Sequence, residues 1–351
     1  MKHVKRPIAF TLVFAIALGC AGVFAYSLRI TDDAQAASIA TVAVVAPANK
    51  TASVTLIAVG DIMLSRNVGA KIVKHKDVNY PFLKVRDVLK KADAVFANLE
   101  TPITAGAPVL TGSFSFRSDP GVEKGMKNAG ISVVSLANNH TMNKGATGLR
   151  DTIKYLDKAK IAHVGAGATL ADATKPATLT LKGVKFAFLA YNDSDVVPAS
   201  YGATVKRAGN ALMDIPTMKD AVKAAKKKAD VVIVSMHSGI EYTPTPNKRQ
   251  TAFAHAAIDA GAELVIGHHP HVVQTVEKYK GKWIMYSLGN FVFDQMWSQD
   301  TRRGMIAKIR FTGSKVTGIE YSPVLIEDYS QPRILTGKDA DAVIARLGLK
   351  K

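Results

Sequence analysis

From Val54 onward the chain repeats one pattern: an apolar run, often preceded by a short amphipathic stretch, that stops abruptly at polar functional groups. VTLIAVGD stops at Asp61, ADAVFANLE at Asn98 and Glu100, and ISVVSLANNH at Asn138, Asn139 and His140. VKFAFLAYND stops at Asn192 and Asp193, and ADVVIVSMHSG at His237. AELVIGHHPH stops at His268, His269 and His271, and KWIMYSLGN at Asn290. Short apolar runs bounded in this way read as buried strands. VRDVLKK, VEKGMKNAG, MKDAVKAAKKK and AFAHAAIDAG read as helices between them. A further helix runs through Leu149, Ile153 and Leu156, with Thr141 or Asn143 as its cap. Strands alternating with helices predict an α/β fold with much parallel pairing, in which ligands bind beyond the carboxyl ends of the strands. The polar strand ends would then meet in one shared site.

After Arg303 the texture changes. MIAKIRFTGSKVTGIEYSPVLI has strand-like runs parted by Gly and Ser turns and no helices, which predicts antiparallel strands completing the sheets. DADAVIARLGL reads as a last helix, so the boundaries are a working domain over 53–330 and a C-terminal helical segment over 331–351. Upstream, ASIATVAVVAPANKTA (37–52) is small-residue sequence without helical periodicity and reads as a linker.

Residues 1–36 have the layout of an export signal: the basic MKHVKR, an uncharged apolar stretch from Ile8 to Tyr26, then small-residue cleavage candidates at Val23-Phe24-Ala25 and Ala34-Gln35-Ala36. The same apolar stretch is long enough to serve as an uncleaved membrane anchor. Cys20 after Gly19 offers lipidation as a third route, although Ala17-Leu18 is in the wrong order for it. Each route places the working domain outside the cytoplasm, in the periplasm or at the cell surface.

Composition narrows the picture. With 48% hydrophobic and 21% charged residues in 351, the chain can bury a core and is not a disordered polyelectrolyte. Cys20 is the single cysteine, so the working domain is held by packing rather than disulfides, and a cysteine nucleophile is excluded. The formal charge is +18, which would attract a polyanion or an anionic surface. The basic runs Lys226–Lys228 and Lys278-Lys280-Lys282 read as solvated faces, and nucleic acid is not an expected partner. There is no Gly-x-Ser-x-Gly elbow and no Walker loop.

Asp61, Glu100, Asn139, His140, His237, His268, His269 and His271 supply carboxylates, imidazoles and an amide oxygen without thiolate. That donor set suits Zn, Mn, Fe or Co better than Ca or Cu(I). A carboxylate between two ions would hold them roughly 3.5–4 Å apart, an arrangement that activates water for attack on phosphorus or a carbonyl. In an extended segment His269 and His271 share a side and His268 points away. His269 and His271 are therefore the expected ligands, and His268 stands behind them or faces substrate. His75, His163 and His255 read as structural.

The series AVGDIML, ADAVFANLETPIT, SLANNHTMNKGATGLRDTIKYL, MHSGIEY, GAELVIGHHPHVVQTVE and YSLGNFVFDQ resembles, in order, the CapA-type capsule-synthesis family, over about Val54 to Gln295. That family includes proteins of poly-γ-glutamate capsule biosynthesis and looks like a branch of the calcineurin-like metallophosphoesterases. The resemblance implies a mixed α/β (α+β) fold, a sandwich of two mixed β-sheets flanked by helices. It implies a divalent-metal site, of one or two Mn, Zn or Fe ions, built from Asp61, Glu100 in the bridging place, Asn139, His237, His269 and His271. His140 would act as general acid or stabilise developing charge, while Asn138, Glu241, His268 and Asn290 would face substrate or stand behind the ligands. Three positions depart from the pattern: Met63 stands where the wider superfamily has histidine, Asn143 where aspartate is common, and Ser238 where an aromatic is common. The expected function is that of an exported hydrolase-like protein processing a phosphoester or an anionic polymer such as poly-γ-glutamate. The alternative is a non-catalytic subunit that binds the polymer and passes it through a membrane synthase.

Overall fold

Alternation of buried side chains along each strand decides where the layers lie. In the strand Ser53–Ile62, Leu56 and Ala58 enter one core while Ile57 and Val59 enter another. Val231–His237 divides in the same way, with Val231 and Ile233 on one side and Val232 and Val234 on the other. Strands apolar on both faces must be covered on both faces. The computed structural model describes residues 51–349 and shows how. The export segment and nearly all of the linker expected from the sequence lie outside the described residues.

Two mixed sheets pack face to face. The first runs Gln331–Ile334, Lys315–Glu327, Arg303–Thr312, Ser53–Ile62, Ala94–Leu99, Ile131–Ser135, Ala162–Val164, with Asn290–Val292 added beside Ser53–Ile62. The second runs Val276–Tyr279, Lys282–Met285, Leu264–His268, Val231–His237, Val184–Asn192, Ala177–Leu181. Parallel strands occupy the middle of the second sheet and one half of the first; antiparallel strands form the edges of the second sheet and the other half of the first, including the predicted run after Arg303. Phe96 stacks on Phe188 across the sandwich with centroids 5.7 Å apart, and Phe311 meets Phe186 at 5.1 Å. Helices Arg66–His75, Val122–Asn128 and Gly145–Lys158 cover the outer face of the first sheet. Ile215–Lys226 and Lys248–Ala260 cover the outer face of the second. Among the described residues no helix is long and apolar enough to cross a membrane.

Several local expectations are corrected. KWIMYSLGN is two elements: Lys282–Met285 belongs to the second sheet, and Asn290–Val292 crosses to the first and pairs parallel with Ser53–Ile62. The crossing turns on Gly289, φ 68°, whose carbonyl accepts from Asp61 N at 3.0 Å. Gly60 makes room for it, because a Cβ there would lie 1.8 Å from that carbonyl oxygen. The helix expected across VRDVLKK is a single turn, Arg86–Leu89. Neither Thr141 nor Asn143 caps Gly145–Lys158, whose N-cap is Lys144; both side chains are used in the polar cluster described below. In the C-terminal segment the strand Gln331–Ile334 precedes the helix Gly337–Ile344.

Candidate metal centre

Strand register brings the polar ends level. In the first sheet Asp61 pairs with Asn290 on one side and Asn98 on the other, and Asn98 pairs with Ser135. In the second sheet Asn192, His237 and His268 form a matching row. Both rows lie at the carboxyl ends of the parallel strands, and their side chains meet. Asp61, Asn98 and Glu100 are fully buried, and His237, His268, His269 and His271 are at most 4% exposed.

Asn98 ties the carboxylates together. Its Nδ2 donates to Asp61 Oδ1 and to Glu100 Oε2, each at 2.9 Å, and lies 3.4 Å from His237 Nδ1. The amide cannot turn over, because Asn98 Oδ1 accepts from Asn138 Nδ2 at 3.0 Å. Asn138 is itself fixed: its Oδ1 accepts from His140 N and Thr141 Oγ1, at 3.1 and 3.0 Å. Asn138 therefore faces inward as a support. Glu100 Oε1 is left buried without a hydrogen bond, 3.6 Å from His271 Nε2 and 3.9 Å from His140 Nε2.

The segment His268–His271 is not the extended one that alternation along the chain predicts. His269 and His271 both adopt left-handed backbone, φ 100° and 58°, which is unusual for residues other than glycine. The turn thus aims both rings into the pocket, and their centroids lie 6.0 Å apart. His268 continues the strand; its Nδ1 lies 3.0 Å from Asp61 Oδ1, behind the carboxylate and away from solvent. Asn290 Nδ2 donates to Gln295 Oε1 and Thr301 O, so its Oδ1 faces His271 Nδ1 at 2.9 Å. That contact keeps a proton of His271 on Nδ1 and makes Nε2 the atom that a metal would take. Asn139 Oδ1 lies 3.1 Å from His237 Nε2, at the half-buried mouth.

His140 is held from two sides. Its ring stacks on Phe116 at 3.9 Å, and its Nδ1 lies 2.8 Å from Asn143 Oδ1, which also accepts from Phe116 N at 2.7 Å. Arg66 lies over the Phe116 ring at 4.7 Å and pairs with Asp294. Met63 contributes nothing to the pocket: it is buried in the core and its sulfur accepts from Ser65 N. Ser238 turns away toward Asp193. His75 stacks on Tyr80, His163 pairs with Asp157 and His255 with Glu277, all apart from the site.

The donor types of the pocket suit a cation. Burial would raise Asp61, but hydrogen bonds from His268 and His271 outweigh it and hold the carboxyl well below its ordinary value. Burial, and then the charge of Asp61, push Glu100 well above. Burial lowers His140 to about 4 and His269 to about 3, and with the neighbouring His269 it holds His237 well below its ordinary value, so these imidazoles are neutral. Burial also opposes charge on His271, yet Glu100 and Asp61 raise it to about 9. Two buried carboxyl groups, the neutral imidazoles of His140, His237 and His269, and an unpartnered Glu100 oxygen fit a divalent ion, which would take the place of the proton that His271 carries. Asp61, Glu100 and His237 place one ligand atom each within 4.8 Å of one another, as do Glu241, His269 and His271.

In the sequence Asn98 is recognisable as a strand end but not as a participant in the site. The signal was present, since Asn98 shares the edge that singled out Glu100. Phe116 and Arg66 carry no such signal, because a loop and the start of the helix Arg66–His75, both distant in sequence, bring them to His140.

Fold and site together define a class: a mixed α/β sandwich with an oxygen- and nitrogen-donor pocket suited to divalent metal where the strands of both sheets end. More specifically, the chain belongs to the bacterial capsule synthesis protein PGA_cap family, whose model matches residues 55–295. It is 35% identical over 306 residues to a capsule biosynthesis protein CapA of Bacillus anthracis, covering 84% of this chain and 72% of that one. It is 35% identical over 273 residues to the PGA biosynthesis protein CapA of Bacillus subtilis (strain 168), covering 77% and 71%. Among solved structures, a sulfate thiohydrolase SoxB from Thermus thermophilus aligns with a TM-score of 0.44 and 12% identity, over 78% of this chain and 46% of that one.

Proposed function

We propose that this chain is an exported, metal-dependent hydrolase of capsule or poly-γ-glutamate biosynthesis, acting on an anionic polymer or a phosphoester. The observation that carries the reading is the buried pair Asp61 and Glu100 among the imidazoles of His237, His269 and His271, with Glu100 Oε1 unpartnered. Asp61, Glu100, Asn139, His237, His269 and His271 would hold one or two ions. When bound, such ions supply Lewis acidity toward a phosphoryl or carbonyl oxygen and activate water at neutral pH. The chain's own residues do the rest. Asn98 holds both carboxylates, and Asn290 and His268 orient His271 and Asp61 from behind. Asn143 Oδ1 faces the Nδ1–H of His140, leaving a lone pair on Nε2 at the pocket. His140 therefore first takes a proton at Nε2 from the attacking water and then passes it to the leaving group as the scissile bond breaks. The +18 charge favours approach of an anionic substrate.

The test is to reconstitute the purified full chain with Mn or Zn and measure bound metal, then cleavage of poly-γ-glutamate and of an aryl phosphate. His140→Ala should lower turnover by about 10²–10⁴-fold while metal binding persists. His269→Ala and His271→Ala should lose metal. A wild-type chain that binds no metal after reconstitution overturns the reading. If Asp61→Asn and His140→Ala leave polymer production intact in cells, the chain is a binding subunit of a synthase instead.

A further inference from the structure

Glu241 lies on the exposed turn after Val231–His237, and that turn is fastened to the histidine segment along its length. Ser238 N donates to His268 O at 3.1 Å and Tyr242 N to Pro270 O at 2.8 Å. Gln274 Nε2 reaches Thr243 O at 2.8 Å and Thr245 O at 3.1 Å, and Gln274 Oε1 accepts from the buried Gln250 at 2.9 Å. Gly239, φ 119°, passes so close to Gln250 that a Cβ would come within 2.7 Å of Gln250 Oε1. The turn is therefore built to one course, and it leaves Glu241 beside the carbonyl that separates His269 from His271. A Glu241 carboxylate oxygen and a ring nitrogen of each of these histidines lie within 4.8 Å of one another.

Both imidazoles are prepared for a ligand. Asn290 occupies the Nδ1 of His271, so Nε2 is its ligand atom, and the Nδ1 of His269 is buried without a partner. The trio shares no residue with Asp61, Glu100 and His237, which approach each other equally closely deeper in the pocket. It also differs in access, because Glu241 is exposed while the deeper three are buried.

We propose that Glu241 is a metal ligand, closing with His269 and His271 on a divalent ion at the open side of the pocket. One carboxylate oxygen and two imidazole nitrogens form the donor set of a site that keeps positions open. The exposed Glu241 puts this side of the pocket next to solvent, from which an anionic oxygen of substrate could enter. This rests on the metal centre proposed above and specifies which exposed side chain completes it. Holding this ion more loosely than the buried trio holds its own follows from the exposure of Glu241.

The test is calorimetric titration of the full chain, stripped with chelator, with Zn²⁺ and Mn²⁺, alongside elemental analysis of bound metal. Wild type should take up a tight and a weaker ion. Glu241→Gln should weaken the second by at least about tenfold, leave the first unchanged and alter the Co²⁺ absorption spectrum. Glu320→Gln, a similar exposed charge on the distant strand Lys315–Glu327, should leave both affinities as in wild type. Identical stoichiometry, affinities and Co²⁺ spectra in wild type and Glu241→Gln overturn the assignment while leaving the metal centre standing. A wild-type chain that binds no ion overturns both.

Discussion

At the residue scale, Asn98 shows how an uncharged side chain governs charged ones. Its two N–H groups are shared between Asp61 and Glu100, so each carboxylate presents its other oxygen to the pocket. Replacing it with leucine keeps the volume but removes both donors and the acceptor for Asn138. Asn98→Leu is expected to lower metal affinity about 10–100-fold, the usual consequence of losing a partner behind the ligands. It should also destabilise the metal-free fold by roughly 1–3 kcal/mol for each buried polar group left unpaired. Titration with Zn²⁺ and urea unfolding of the stripped protein check the two effects separately; unchanged affinity would remove Asn98 from the site. Such residues are hard to assign from sequence because their role depends on what stands opposite. Carboxylates and imidazoles at strand ends announce chemistry by type. The value of Asn98 emerges only once register sets it between Asp61 and Ser135.

At the element scale, the strands were legible because burial on both faces leaves them continuously apolar, and their polar ends marked a common edge. What the sequence left obscure were places where one residue changes direction. Gly289 splits KWIMYSLGN between two sheets, and the left-handed His269 and His271 replace the extended segment expected there. These turns depend on contacts such as Gly289 O with Asp61 N, which local patterning does not encode. Helix starts are clearer where a cap is present. Ile215–Lys226 begins at Asp214, whose side chain accepts from Thr217 N at 2.9 Å, with proline in the first turn. Asp214→Ala is expected to cost about 1 kcal/mol at neutral pH, seen as a lower urea midpoint. Hydrogen bonds from the Thr217 hydroxyl and backbone lower the carboxyl of Asp214 from its ordinary value of 3.8. The cap is thus at full strength above 3.8 and is lost as pH falls through the lower folded value. The gap between wild type and variant should narrow in that range; a gap constant down to pH 3 would show that the charge of Asp214 plays no part.

At the scale of the whole molecule, the pocket is a seam. Asp61, Glu100 and Asn139 come from the first sheet and the turns that follow its strands, while His237, His269 and His271 come from the second. No short segment carries the donor set, so the site exists only when both sheets are packed together, and an ion held there binds the native state in preference to the unfolded chain. Without an ion, Asp61 and Glu100 remain buried side by side, and Glu100 resists ionisation because of burial and its neighbour's charge. Metal should therefore stabilise the fold as a whole rather than a single loop. At a free concentration 100 times the dissociation constant, the gain is about 2.7 kcal/mol. At roughly 2 °C per kcal/mol for a large domain, the melting midpoint rises by about 5 °C. Calorimetry of the chelated and metal-loaded chain measures the shift directly, and Asp61→Asn should remove most of it because it weakens the site on the first sheet alone. Equal melting midpoints with chelator and with saturating Mn²⁺ or Zn²⁺ would mean that no ion bridges the two sheets. A shift that survives Asp61→Asn in full would place the stabilising ion elsewhere on the molecule.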